Sequence, residues 1–186
     1  VVRAIFIIIN TIKQGGNAMK RMVLSILVDN TAGVLSRVAG LFSRRGFNID
    51  SLTVGETQDP AISRMTVLAH GDDQVLEQIR KQLFKLEDVF EIVELAPSES
   101  VTRELILVKV SANEAERQGI ISIADIFRAK IVDVALDSLM IELTGSQEKI
   151  DAFIKLLNQY TIKELVRTGI TGLSRGSGDI TDFIDD

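Results

Sequence analysis

Asn30, Gly33 and Asn48, within the stretch Asp29 to Ile49, have the types and spacing to grip a small zwitterion. Gly33 leaves a first helical turn bare, so amides at the positive end of a helix dipole are open to a carboxylate. The carboxamides of Asn30 and Asn48 both donate and accept hydrogen bonds, which suits an ammonium and a carboxylate on one molecule. That is an amino-acid-shaped set of contacts. The same residues also have plain structural uses: Asn30 as the cap of the helix, Gly33 as a turn residue, Asn48 at the start of a strand. Spacing alone leaves both readings open.

No catalytic set accompanies them. His70 is the only histidine and sits at the end of an expected strand, so it reads as a solvent-exposed residue rather than a base. With no second histidine and no cysteine there is neither a paired-histidine zinc motif nor a thiolate nucleophile. Glu87 and Asp88, Glu91 and Glu94 read as solvated faces with no acid and base assignment. Gly169 to Gly176 is glycine-rich but lacks the strand-to-helix context and lysine of a phosphate loop, so it reads as a terminal loop or partner-binding segment. Catalytic residues: none. Metal ligands: none.

Composition narrows the partners. A net charge of -5 opposes nonspecific binding to phosphate backbones, and Arg44-Arg45 reads as the cationic last turn of a helix. Without tryptophan and with one tyrosine there is little aromatic surface for stacking bases. The expected partners therefore include no nucleic acid. At 46% hydrophobic residues, 186 residues can build one large or two small cores. The apolar run Ala4 to Ile9 is far shorter than the roughly 20 residues of a spanning helix, so no membrane association is expected. Absence of cysteine permits a reducing compartment, and a cytoplasmic location is expected.

Periodicity supplies the elements that must hold these residues. Met22, Leu24, Ile26 and Val28 share one face of a strand over Met19 to Asp29. Val34, Leu35, Val38, Leu41 and Phe42 recur as one helical face, closed by Gly46 after two arginines. Gly40, inside that helix, is explained by close packing on the sheet. Strands follow over Ile49 to Glu56 and Ile62 to His70, separated by a turn at Pro60. A second helix, entered through Asp72-Asp73, carries Val75, Leu76, Ile79, Leu83 and Leu86. Val89 to Leu95 closes the unit. Strand-helix-strand-strand-helix-strand, with right-handed crossovers, is the ferredoxin-like arrangement: four antiparallel strands with both helices on one face. Apolar residues on both phases of the first strand, Val23 and Leu27 opposite Leu24 and Ile26, leave the second face to a partner.

The order then repeats. Thr102 to Val110, Asn113 to Ala129, Ile131 to Ala135, Leu139 to Thr144, a helix opened by Gly145-Ser146, and Ile162 to Arg167 form a second βαββαβ unit. The fold class is α+β, two tandem ferredoxin-like units. The expected boundaries are an extension outside the fold at 1–18, a first unit at 19–95, a linker at 96–101, a second unit at 102–175 and an acidic tail at 176–186 carrying Phe183 and Ile184. Lys13-Gln14-Gly15-Gly16 reads as a translated ribosome-binding stretch, with the folded protein beginning at Met19.

The run DNTAGVLSRVAGLFSRRGFNIDSLTVG, the later ISRMTV, and then VTRELILVKV, IFRAKIVDV and RTGITGLSRG resemble the small regulatory subunits of acetolactate synthase (acetohydroxyacid synthase). The resemblance covers Met19 to Gly176 and makes the first unit an ACT domain. It implies a noncatalytic subunit that binds the large catalytic subunit, activates it and confers valine feedback inhibition on branched-chain amino-acid synthesis. It places valine between two ACT domains at Asn30, Gly33 and Asn48, with Ala32, Val34, Leu35 and Ile49 around them, and so implies a homodimer through those domains. No cofactor is implied in this chain; thiamine diphosphate, magnesium and FAD are expected in the large subunit. The alternative is a stand-alone ACT-type sensor controlling transcription or another enzyme, against which no helix-turn-helix is evident.

Overall fold

The computed structural model describes residues 19–178. The expected extension at 1–18 lies outside the described residues, as does the tail from 179 onward with Phe183 and Ile184. The first unit runs β1 (Lys20–Asp29), α1 (Val34–Arg45), β2 (Ile49–Glu56), β3 (Ile62–Gly71), α2 (Asp73–Leu83) and β4 (Val89–Glu94). The second runs β5 (Ser100–Ser111), α3 (Glu114–Phe127), β6 (Lys130–Val134), β7 (Ser138–Gly145), α4 (Gln147–Leu157), β8 (Ile162–Arg167) and β9 (Thr171–Ser174). The sheets have the strand orders β2-β3-β1-β4 and β6-β7-β5-β8, all antiparallel. These are two ferredoxin-like units, as the alternation of periods requires.

Each unit has its own core. Met22, Leu24, Ile26 and Val28 of β1 meet Val38, Leu41 and Phe42 of α1 and Leu76, Ile79 and Leu83 of α2. Ile106, Val108 and Val110 of β5 meet Ile120 of α3 and Ile150, Phe153 and Leu157 of α4. Three of the four described helices start at a side-chain cap. Asp72 accepts from the Val75 amide, Asn113 forms a reciprocal box with Glu116, and Ser146 accepts from Lys149. Helix α1 ends as expected on Gly46, whose left-handed backbone (φ 69°) returns its N–H to the Phe42 and Ser43 carbonyls.

Four expectations are corrected. Leu35 is 45% exposed and lies off the packing face of α1, because the buried set Val34, Val38, Leu41, Phe42 already completes that stripe. Leu86 lies beyond the end of α2, which closes at Leu83. A Cβ at Gly40 would meet nothing nearer than Arg44 Nη1 at 4.0 Å, so tight packing does not account for that glycine. The glycine-rich 169–176 segment is not a loop: β9 pairs with the first half of β5, Thr171 opposite Arg103 and Ser174 opposite Ser100.

That last element joins the units. Leu52 packs into the first core, so its neighbours Ser51 and Thr53 face the opposite side of the sheet. There the Ile170 amide donates to Ser51 Oγ at 2.9 Å, and Thr53 Oγ1 donates to the Ile170 carbonyl at 2.9 Å. Gly169 makes the bend at φ 86°, with no room for a Cβ beside Ser51 and Thr53. Ile170 ends buried on the outer face of the first sheet, so the chain covers part of that face itself.

Candidate functional site

The loop between β1 and α1 does not work as the cap rule suggests. Gly33, at φ 93°, occupies the N-cap position, and no side chain caps α1. Asn30 is engaged elsewhere. Its amide donates to the Pro60 carbonyl at 2.8 Å and to Glu56 at 3.1 Å, and its oxygen accepts from Ser63 at 2.9 Å. Its backbone N–H donates to the Ala61 carbonyl at 2.7 Å. Asn30 therefore clamps the loop to the β2–β3 turn rather than to the helix, because β1 and β3 end side by side, Asp29 opposite Ile62.

The helix end is left open by this arrangement. Among the described helices only α1 lacks both a capping side chain and an acidic residue in its first turn. Apart from the Val34 N–H, which donates to the Thr31 carbonyl at 3.4 Å, its first-turn amides meet no capping side chain and stand at the positive end of the dipole. Ala32, Gly33 and Leu35 are exposed there, while Val34 is buried as the hydrophobic anchor of the turn.

Arg37 brings a guanidinium to this loop, its charge paired with Asp88. Its Nε and Nη2 donate to Asp88 at 2.5 and 2.7 Å, and Nη1 stands 3.1 Å from where a Cβ on Gly33 would lie. The hydrogen bond to Asp88 raises the Arg37 pKa and holds the Asp88 carboxyl below its ordinary value, with burial opposing both. Asp88 is thus a positioning group and not the plain solvated acid its sequence context suggests.

Asn48 and Ile49 lie at the far end of α1. Twelve residues at about 1.5 Å each put them roughly 18 Å from the Gly33 loop. The single chain therefore brings Asn30, Ala32, Gly33, Val34 and Leu35 to one place and Asn48 and Ile49 to another. Asn48 is exposed and donates to Asp50 at 2.8 Å, and Asp50 in turn touches His70 Nδ1 across the β2–β3 edge. Among the described residues no group of three or more His, Cys, Asp or Glu side chains is placed to hold a metal ion.

With this geometry in place, comparison with known proteins is decisive. Residues 24–91 match the model of the AHAS small subunit-like ACT domain, and residues 103–176 match that of the small subunit of acetolactate synthase. The chain is 58% identical over 156 residues to the probable acetolactate synthase small subunit of Methanothermobacter thermautotrophicus, covering 83% of this chain and 93% of that one. This chain belongs to the acetolactate synthase small-subunit family. The Haemophilus influenzae small subunit is 52% identical over 161 residues, 86% of this chain and 99% of its own. The crystal structure of the acetolactate synthase small subunit from Thermotoga maritima superposes with a TM-score of 0.79 at 43% identity, covering 86% of this chain and 99% of that one. The first unit is an ACT domain, and membership in a small-subunit family implies a large catalytic partner. Among the described residues no helix is long and apolar enough to cross a membrane.

Proposed function

We propose that this chain activates the large subunit of acetolactate synthase and makes it responsive to valine, which binds where the Gly33 loop of one ACT domain meets Asn48 of a second copy. The observation that carries this is the uncapped N-terminus of α1, opened by a left-handed glycine and flanked by Arg37. A valine carboxylate would take the first-turn amides beside the Asp88-paired Arg37, and its ammonium would take the carboxamide oxygen of Asn48 from the other copy. Asn30 would act by holding the loop in shape. The separation of Asn48 from Gly33 within one chain is what makes a homodimer part of the site.

Coupling to the catalyst is linkage: valine favours one arrangement of the ACT pair, and only a difference in affinity between arrangements can shift the catalytic partner. Thiamine diphosphate, magnesium and FAD, with the joining of two pyruvates or of pyruvate with 2-oxobutyrate, belong to the large subunit in this reading. The complex works in the cytoplasm. Calorimetric titration of valine into the paired protein tests the site. Saturable heat that disappears in Gly33→Asp is expected; equal heat from both proteins would place the site elsewhere.

A further inference from the structure

We infer that the groove beside Arg64, on the outer face of the ACT sheet, is where the large catalytic subunit docks, inserting an acidic side chain onto the Arg64 guanidinium. This rests on the reading that the chain associates with such a subunit, and it names the surface used. In the register of the sheet Arg64 stands between Gly55 of β2 and Leu27 of β1, so its side chain lies on the face away from both helices. It is half-buried, and its Nη1 donates to Ser25 Oγ at 2.7 Å, a hydroxyl itself 2% exposed.

Arg64 forms no ion pair among the described residues. Exposed arginines such as Arg21, Arg44, Arg45 and Arg103 also form none, but their charge stays in water. Arg37 and Arg167 hold carboxylates, and half-buried Arg117 donates to the carbonyls of Ala112, Ala135 and Leu136. Burial lowers the Arg64 pKa with no opposing pull from a neighbouring acid. A desolvated cation without a counter-charge is a costly arrangement that an incoming carboxylate relieves.

The surroundings suit a protein partner. A cavity of about 390 Å³ opens between β2 and β9, lined beside Arg64 by Thr53, Gly55, Thr171 and Gly172, whose small side chains admit another backbone. Leu173 of β9 at its rim is 56% exposed. Glu56 shares the rim but receives the Asn30 amide. A guanidinium beside an exposed leucine, in a groove of small side chains, suits an interface hot spot, and the group that complements its local charge is an acid.

The test compares the full chain with Arg64→Gln, Arg64→Lys and Leu173→Asp in binding to purified large subunit, with circular dichroism and valine heats as controls. Arg64→Gln and Leu173→Asp should each weaken association by about 30-fold with folding and valine heats kept, and Arg64→Lys by less. A photo-crosslinker replacing Leu173 should capture a large-subunit peptide containing Asp or Glu. Unchanged affinity in a folded Arg64→Gln or Leu173→Asp chain overturns the assignment. So does crosslinking only to a second copy of this chain, or inorganic phosphate binding at Arg64 without competing with the large subunit. If the parent chain itself fails to bind the large subunit, it is the functional reading that falls.

Discussion

Replacing Gly33 separates the shape of the effector loop from its charge. At φ 93° an alanine pays for a left-handed backbone, about 1–2 kcal/mol, offset by up to ~1 kcal/mol from a stiffer unfolded chain. Its Cβ would also lie 3.1 Å from Arg37 Nη1, tighter than ordinary contact, and Arg37 is held by two bonds to Asp88 and yields little. Gly33→Ala should therefore cost about 1–2 kcal/mol in urea unfolding. Gly33→Asp adds a carboxylate where the ligand's own would arrive. Two such charges about 4 Å apart repel by about 4 kcal/mol at an effective dielectric of 20, and exposure halves this, so valine should bind roughly 30-fold more weakly. Urea titration and valine calorimetry on both variants read the two effects separately. An alanine variant as stable as the parent, or an aspartate variant binding valine within twofold of it, would refute the reasoning.

Three further outcomes follow from the same geometry. Asn30→Asp keeps the acceptor for Ser63 but sets a carboxylate against Glu56, 3.1 Å from the present amide, so one of the two acids acquires a raised pKa. The variant's deficit should be small in mild acid and grow as pH rises through that value, seen as a widening gap in urea midpoints. Asp88, lowered by Arg37, stabilises the fold above its unfolded-state pKa and loses that contribution as pH falls through its folded value. Arg37→Ala should accordingly flatten the acid limb of the stability profile below about pH 4 and weaken valine binding without removing activation. In α3, a Cβ on Gly119 would run into Tyr160 Oη, so Gly119→Ala should destabilise by about 1–2 kcal/mol despite its better helix propensity, and adding Tyr160→Phe should recover most of the loss by thermal melting.

The tandem units were legible because β1, α1 and their counterparts keep clean periods of two and 3.6, and each unit closes on its own core. What sequence could not give is pairing at a distance. Asn30 has the right type and place for a cap, but β1 and β3 end together and the β2–β3 turn takes its side chain instead. Arg37 reads as any exposed helical arginine until α2 and β4 bring Asp88 to it. Strand β9 was hidden by its glycines, and its alternation of buried Ile170 and Gly172 with exposed Thr171 and Leu173 does not show in the residue types, since a leucine is exposed and a glycine buried. Arg64 gave no signal, since its isolation depends on which neighbours the sheet supplies.

Pyruvate turnover by the large subunit, measured with and without this chain and with and without valine, bears most directly on the whole account. The chain should raise turnover, valine should reverse the gain, and Gly33→Asp should keep the gain while losing the reversal. Turnover indifferent to the chain, or valine inhibition equally strong with Gly33→Asp, would contradict it.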